Sequence, residues 1–211
     1  MAERFERGGV QGYLHRPADV SRDGVVLAHG AGANCEAKIL VAVAEQLCAA
    51  GFLVLRIDLP FRQKRPSGPP SPAGRAADLS GLREAAELMR SIAPGRIVLG
   101  GHSYGGRMST MLAAEDTSVA DALLLLSYPL HPPTKRDTLR TGHFPDVRTR
   151  SLFVHGTRDP FGLPEEMRAA LQLLGERAVY SEVGGAGHDL RSGKFDVNAL
   201  VVQPLITILA A

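Results

Sequence analysis

Tryptophan is absent from this chain, cysteine occurs twice, and aromatic residues make up only 5% of its 211 positions. Cys35 and Cys48 are too few for a disulfide framework, and no metal-ligand spacing surrounds them. No apolar run reaches the roughly 20 residues of a membrane span. The opening residues, Met1-Ala2-Glu3-Arg4-Phe5-Glu6-Arg7, lack the apolar centre of a signal peptide. The expectation is a soluble, cytoplasmic protein with no membrane partner. A formal net charge of +2 is too small to suggest a nucleic-acid partner. Internal repeats are not evident. Gly30 and Gly32 lack the third glycine of a dinucleotide loop, because Ala33-Asn34-Cys35 follows them.

What the sequence does contain is ordinary globular composition, 45% hydrophobic, at a length suited to a single α/β domain over residues 1–211. Val10 to His15 reads as an edge strand, followed by Pro17 and the turn residues Ser21-Arg22-Asp23-Gly24. Val25–Ala28 and Phe52–Asp58 read as buried strands around a helix from about Glu36 to Ala50, which Gly51 stops. Leu59 to Ala73 is rich in Pro, Gly and Arg and is expected to be a loop. From about Ala76 to Ile92, Leu79, Leu82, Ala86 and Met89 fall on one helical face. Further strands are expected over Arg96–Leu99, Ala122–Leu126, Ser151–His155 and Ala178–Val183. Tyr128–Arg150 is expected to be loop, Pro164–Leu174 helix, and Phe195–Leu209 a helix that Pro204 bends or breaks. Strands that are apolar throughout and alternate with helices imply a mostly parallel sheet covered on both faces.

The most informative stretch is Leu99-Gly100-Gly101-His102-Ser103-Tyr104-Gly105-Gly106-Arg107. Gly101 to Gly105 fits G-x-S-x-G between a strand and a helix, the pattern of a nucleophile elbow. Such a turn strains the serine backbone and brings its flanks against neighbouring chain, so glycine is needed at 101 and 105. A serine nucleophile needs a base to take its proton and a carboxylate to orient that base. Open α/β sheets place their sites beyond the C-terminal strand ends. Asp159 follows the strand ending at His155, and His188 follows the last strand in Gly184-Gly185-Ala186-Gly187-His188. The order serine, acid, histidine is then satisfied by Ser103, Asp159 and His188. Asp58, also after a strand, is a weaker candidate for the acid. Asp189 reads as structural, as do His29, His102 and His155.

With these residues in hand, the sequence resembles the α/β-hydrolase superfamily over nearly its whole length. It is most similar to small, capless, dienelactone-hydrolase-like members. Within these it resembles a family related to a subunit of the non-specific-lethal histone acetyltransferase complex. The resemblance rests on His29-Gly30-Ala31-Gly32, Gly101–Gly106, Gly156-Thr157-Arg158-Asp159-Pro160-Phe161-Gly162 and Gly187-His188. Ser103 stands where dienelactone hydrolases use cysteine, which argues against dienelactone as substrate. Backbone N–H groups of Ala31 and Tyr104 are expected to form the oxyanion hole. The reading is a serine hydrolase of a small ester or related acyl substrate, with no metal or organic cofactor. Two alternatives stay open: a non-catalytic interaction module of the same fold, and a serine peptidase. Tyr128, His131 and Arg107 are the candidate substrate-binding residues. Arg62, Lys64, Arg65, Arg107, His131, Lys135, Arg136, Arg140 and His143 lie around a mouth with no large lid, where they read as ordinary solvated loop charges or, alternatively, as a basic rim for an anionic substrate or partner. Oligomeric state is not readable.

Overall fold

The computed structural model describes residues 2–18, 23–191 and 195–210. Ser21 and Arg22 of the expected first turn lie outside the described residues. Among the described residues eight strands form one sheet: β1 (Ala2–Arg7), β2 (Val10–His15), β3 (Gly24–Ala28), β4 (Leu53–Asp58), β5 (Ile97–His102), β6 (Ala122–Leu126), β7 (Arg150–Gly156) and β8 (Ala178–Val183). Their order is β1-β2-β4-β3-β5-β6-β7-β8. The β1–β2 and β2–β4 pairs are antiparallel, and every pair from β4–β3 to β7–β8 is parallel. The five residues of β6, Ala-Leu-Leu-Leu-Leu, are all buried. A parallel strand covered on both faces needs this continuous apolarity.

Among the described residues six α-helices flank the sheet: α1 (Lys38–Ala49), α2 (Pro60–Lys64), α3 (Arg75–Ile92), α4 (Tyr104–Glu115), α5 (Pro164–Leu171) and α6 (Gln203–Ala210). Leu82 and Met89 of α3, Met108 and Leu112 of α4 and Met167 of α5 pack into one core with alternate strand residues such as Leu99, Leu125 and Phe153. Leu40, Val43 and Leu47 of α1 join Leu205 and Ile208 of α6 in the opposite core, against Val25, Val98 and Leu124. Among the described residues no helix is long and apolar enough to cross a membrane.

Three expectations need correction. Val10–His15 is not the edge, because β1 pairs outside it. The expected loop at 59–73 contains α2, with Pro60 in its first turn, and a 3-10 turn at Pro72–Gly74. Proline has no N–H to lose there and its fixed φ suits a helix start. The third concerns the C-terminus. A π-helical turn, Asn198–Val202, immediately precedes α6. Pro204 cannot donate to the carbonyl four residues back, and the helix absorbs this by widening, so that Gln203 N–H bonds Asn198 O. The helix is altered by Pro204 but not ended.

Candidate active site

The site sits at the C-terminal ends of β3, β5, β7 and β8. At the end of β5 the chain reverses into α4 through Ser103, whose φ of 51° is rare for a residue with a side chain. The turn is possible because the backbones crowd closely. A Cβ on Gly101 would lie 2.0 Å from Ala28 O, and one on Gly105 would lie 2.4 Å from the same oxygen. Two bonds fix the serine turn: Ser103 N–H to Leu126 O at 2.8 Å, and Gly105 N–H to His29 O at 3.1 Å.

Ser103, His188 and Asp159 come together although 85 and 29 residues separate the bonded pairs. His188 Nε2 lies 2.9 Å from Ser103 Oγ, and its Nδ1 lies 2.7 Å from Asp159 Oδ2. A carboxylate accepts only, so Nδ1 carries the proton and Nε2 is left to accept from the serine hydroxyl. Asp159 is fully buried, and its second oxygen accepts the Phe161 N–H at 2.9 Å. The Phe161 ring lies against the imidazole, centroids 4.3 Å apart at 33°. From behind, His102 Nε2 donates to His188 O at 2.8 Å. Burial pushes the His102 imidazole down to about 4. His155 bonds Gly162 O through Nε2 at 2.8 Å, bracing the turn that carries Asp159. His29 is held at both nitrogens, donating to Gly30 O and accepting from Leu59 N–H. Asp189 accepts from Arg191 N–H in its own loop. Asp58 does not approach His188; it accepts from the Cys35 N–H at 2.8 Å and from its thiol.

A cavity of about 480 Å³ opens over Ser103 and His188, lined also by Gly30–Ala33, Tyr104, Arg107, Pro129, Arg140 and Phe161. Ala31 and Tyr104 therefore stand beside the serine. Tyr104 is the first residue of α4, where a helix has no carbonyl to offer its N–H. Among the described residues neither Ala31 nor Tyr104 donates its backbone N–H to a protein acceptor.

Tyr128 and His131, expected to bind substrate, do not line this cavity. After β6 the backbone takes a positive φ at Ser127 and turns inward. The Tyr128 ring is wholly buried against Phe144 and Phe153, and its hydroxyl donates to Arg140 O at 2.7 Å. His131 is buried with Nε2 3.2 Å from Glu166 Oε2, tying the loop to α5. Arg107 does line the cavity. Much of the expected basic rim is otherwise engaged. Arg62 is buried, donating to the carbonyls of Ala33 (2.7 Å), Ala31 (2.9 Å), Gly68 (3.0 Å) and Arg65 (3.2 Å). Its guanidinium thus ties the loop carrying Ala31 to the proline-rich segment. Arg136 pairs with Glu166, and His143 bonds Thr110 Oγ1. Lys64, Arg65 and Lys135 are exposed away from the cavity lining. Sequence reasoning missed the Arg62 clamp and the Phe161 shelf. Phe161 stood within a quoted motif, two residues after the acid, and that proximity was the available signal.

A profile for an alpha/beta hydrolase domain matches residues 21–199, and the chain belongs to this family. A relative named "Putative protein-lysine deacylase ABHD14B", from Pongo abelii, is 28% identical over 165 residues, 78% of this chain and 73% of that one. Among solved structures, XC6422 of Xanthomonas campestris, described as an α/β serine hydrolase without lid, superposes with a TM-score of 0.73 at 17% identity, covering 100% of this chain and 95% of that one. A dienelactone hydrolase of Anabaena variabilis gives 0.69 at 19% identity, covering 98% and 95%. The fold is that of the small α/β hydrolases with no large cap. Between β6 and β7 only a 3-10 turn at Phe144–Asp146 is regular.

Proposed function

We propose that the chain is a serine hydrolase acting on a small ester or related acyl compound through an acyl-enzyme on Ser103. The observation that carries this reading is the unbroken line Asp159–His188–Ser103, opening into a cavity beside two unengaged N–H groups. His188 Nε2 takes the Ser103 proton as Oγ bonds to the substrate carbonyl carbon, and the carbonyl π electrons move onto oxygen. The Ala31 and Tyr104 N–H groups receive that oxyanion. Collapse re-forms the carbonyl and expels the leaving group, which takes the proton from His188. Water then loses a proton to His188, attacks the acyl carbon, and releases the acid as Ser103 recovers its proton. Asp159 holds the tautomer and balances the transient imidazolium.

The open mouth favours short chains, because each methylene left in water forgoes about 0.8 kcal/mol of burial. Amide cleavage is the second reading, supported by likeness to the Pongo abelii relative. The test is labelling with a fluorophosphonate, then turnover of p-nitrophenyl esters from acetate to dodecanoate beside an acetyl-lysine peptide. Labelling of the wild type but not of Ser103→Ala, with ester turnover falling as the chain lengthens, is the expected result. Turnover of the peptide alone would select the amide reading. No labelling and no turnover would favour the non-catalytic interaction module, and a preference for long chains would refute the open-site argument.

A further inference from the structure

Beyond the reacting centre the cavity continues into a second space of about 400 Å³, lined by Pro70, Ser71, Pro72, Arg75, Tyr104, Arg107 and Arg140. Pro70, Tyr104, Arg107 and Arg140 border both, so the two adjoin. Three guanidinium groups therefore face one groove, and no carboxylate pairs with any of them among the described residues. Arg62, the other arginine of this mouth, also lacks an acidic partner, but its guanidinium is satisfied by four carbonyls. Asp78, one turn along α3 from Arg75, is already engaged by the Phe61 N–H and the Tyr104 hydroxyl.

Arg107 is the informative member. It stands one helical turn beyond Ser103, its N–H bonded to Ser103 O at 3.0 Å. Both residues line the cavity, so its side chain lies on the side of the serine. Its Nε is sealed from solvent and has no hydrogen-bond partner among the described residues. A buried cationic donor without an acceptor is a net loss unless something supplies one. Arg140 is half-buried, and among the described residues its guanidinium donates only to Pro129 O, at 3.3 Å. The surroundings are electropositive as well as unpaired. Burial and then the Arg107 charge lower the Arg140 guanidinium, and the same two causes push His143 down to about 4, with Asp146 opposing.

We propose that Arg107 and Arg140, with Arg75 at the outer end, form a subsite for an anionic group of the substrate, a carboxylate or a phosphate. The inference rests on the reading of Ser103 as nucleophile and deepens it: the acyl compound carries a negative charge about one helical turn from the reacting carbonyl. An anion there would accept from Arg107 and Arg140 together, in charge-assisted bonds stronger than neutral ones.

Two measurements test it. In the first, wild-type turnover of p-nitrophenyl hemiglutarate is compared with that of the neutral pentanoate. The expected kcat/KM ratio favours the anionic ester by about tenfold or more at low salt. It shrinks toward one near 1 M salt, where screening acts over roughly 3 Å. The ratio collapses in Arg107→Gln and Arg140→Gln, and falls less in the exposed Arg75→Gln, which serves if the other two fold poorly. In the second, Ser103→Ala is titrated calorimetrically with monomethyl glutarate and with inorganic phosphate. Binding that weakens with salt and is lost on adding Arg107→Gln supports the subsite, and the tighter of the two anions identifies its chemistry. A wild-type ratio near one, or the same ratio in all variants, overturns the proposal while leaving the hydrolase reading intact. Anion binding lost in the variants, without any ester turnover or fluorophosphonate labelling, would retain the subsite and defeat the hydrolase reading. No binding of either anion defeats the subsite.

Discussion

Replacing Arg62 by Gln tests whether a buried cation outside the cavity lining positions the loop proposed to supply an oxyanion donor. Arg62 donates to four carbonyls, two of which, Ala31 and Ala33, belong to the loop that lines the cavity beside Ser103. Hydrogen bonds to charged groups contribute about 1.5–3 kcal/mol each, and their losses do not add. Glutamine can retain at most part of the set. The expected destabilisation is about 3 kcal/mol, a Tm lower by roughly 6–12 °C for a chain of this size. Deleting an oxyanion donor outright lowers kcat by about 10²–10³. Loosening the loop that carries one should give roughly 10- to 100-fold, with KM changed by no more than about twofold, because the missing stabilisation belongs to the transition state. Arg62→Lys restores charge but not the planar fork, so it should recover Tm more fully than kcat. The assay is steady-state hydrolysis of a short p-nitrophenyl ester, with thermal melting on the same samples. A Tm that falls while kcat stays within about twofold of wild type would refute the positioning role and leave Arg62 purely structural.

Other perturbations follow from the same contacts. Ser103→Ala and His188→Ala should each lower kcat by several orders of magnitude and the double variant little further, since they act as a unit. Asp159→Asn should be severe and Asp58→Asn mild when kcat is measured, and the reverse ranking would show that the acid is misassigned. His102 stays neutral in the folded protein down to about pH 4, because burial outweighs its hydrogen bond to His188 O, which opposes the shift. An unfolded histidine takes up its proton near 6.5, so this contribution is complete above that pH and is lost as pH falls from 6.5 to 4. It amounts to about 3 kcal/mol. Tm measured across that window should decline, and His102→Gln should decline less steeply. Parallel curves would contradict the assignment.

The sequence made the parallel sheet, the elbow and the Ser103, Asp159 and His188 positions readable for a physical reason. Interior strands must be apolar throughout, and a reversing strand–helix turn tolerates few residues at 101 and 105. What it concealed was governed by tertiary context. β1 reads Ala-Glu-Arg-Phe-Glu-Arg, a charged segment in which only Phe5 packs against the core. An edge strand can be this polar because one side has no partner to satisfy. Position after the nucleophile placed Arg107 at the mouth, and it lines the cavity, whereas position after a strand misled at Tyr128 and His131, because one positive φ at Ser127 turned that segment inward. Arg62 looked like a solvated loop charge. Its burial depends on carbonyls from residues 31, 33, 65 and 68, which no local pattern reveals.

β8 is bonded to β7 on one side only, yet the loop that leaves it carries His188. Ser103 issues from β5, which has a neighbour on both flanks and two cores against it. The nucleophile and its base are therefore anchored with unequal strength. An excursion that frees the outer strand would separate the imidazole from the serine while β3, β5 and β6 remain assembled. The reacting pair would then be governed by a local opening equilibrium rather than by global unfolding. Warming that released β8 first would silence such a molecule while β3, β5 and β6 were still packed.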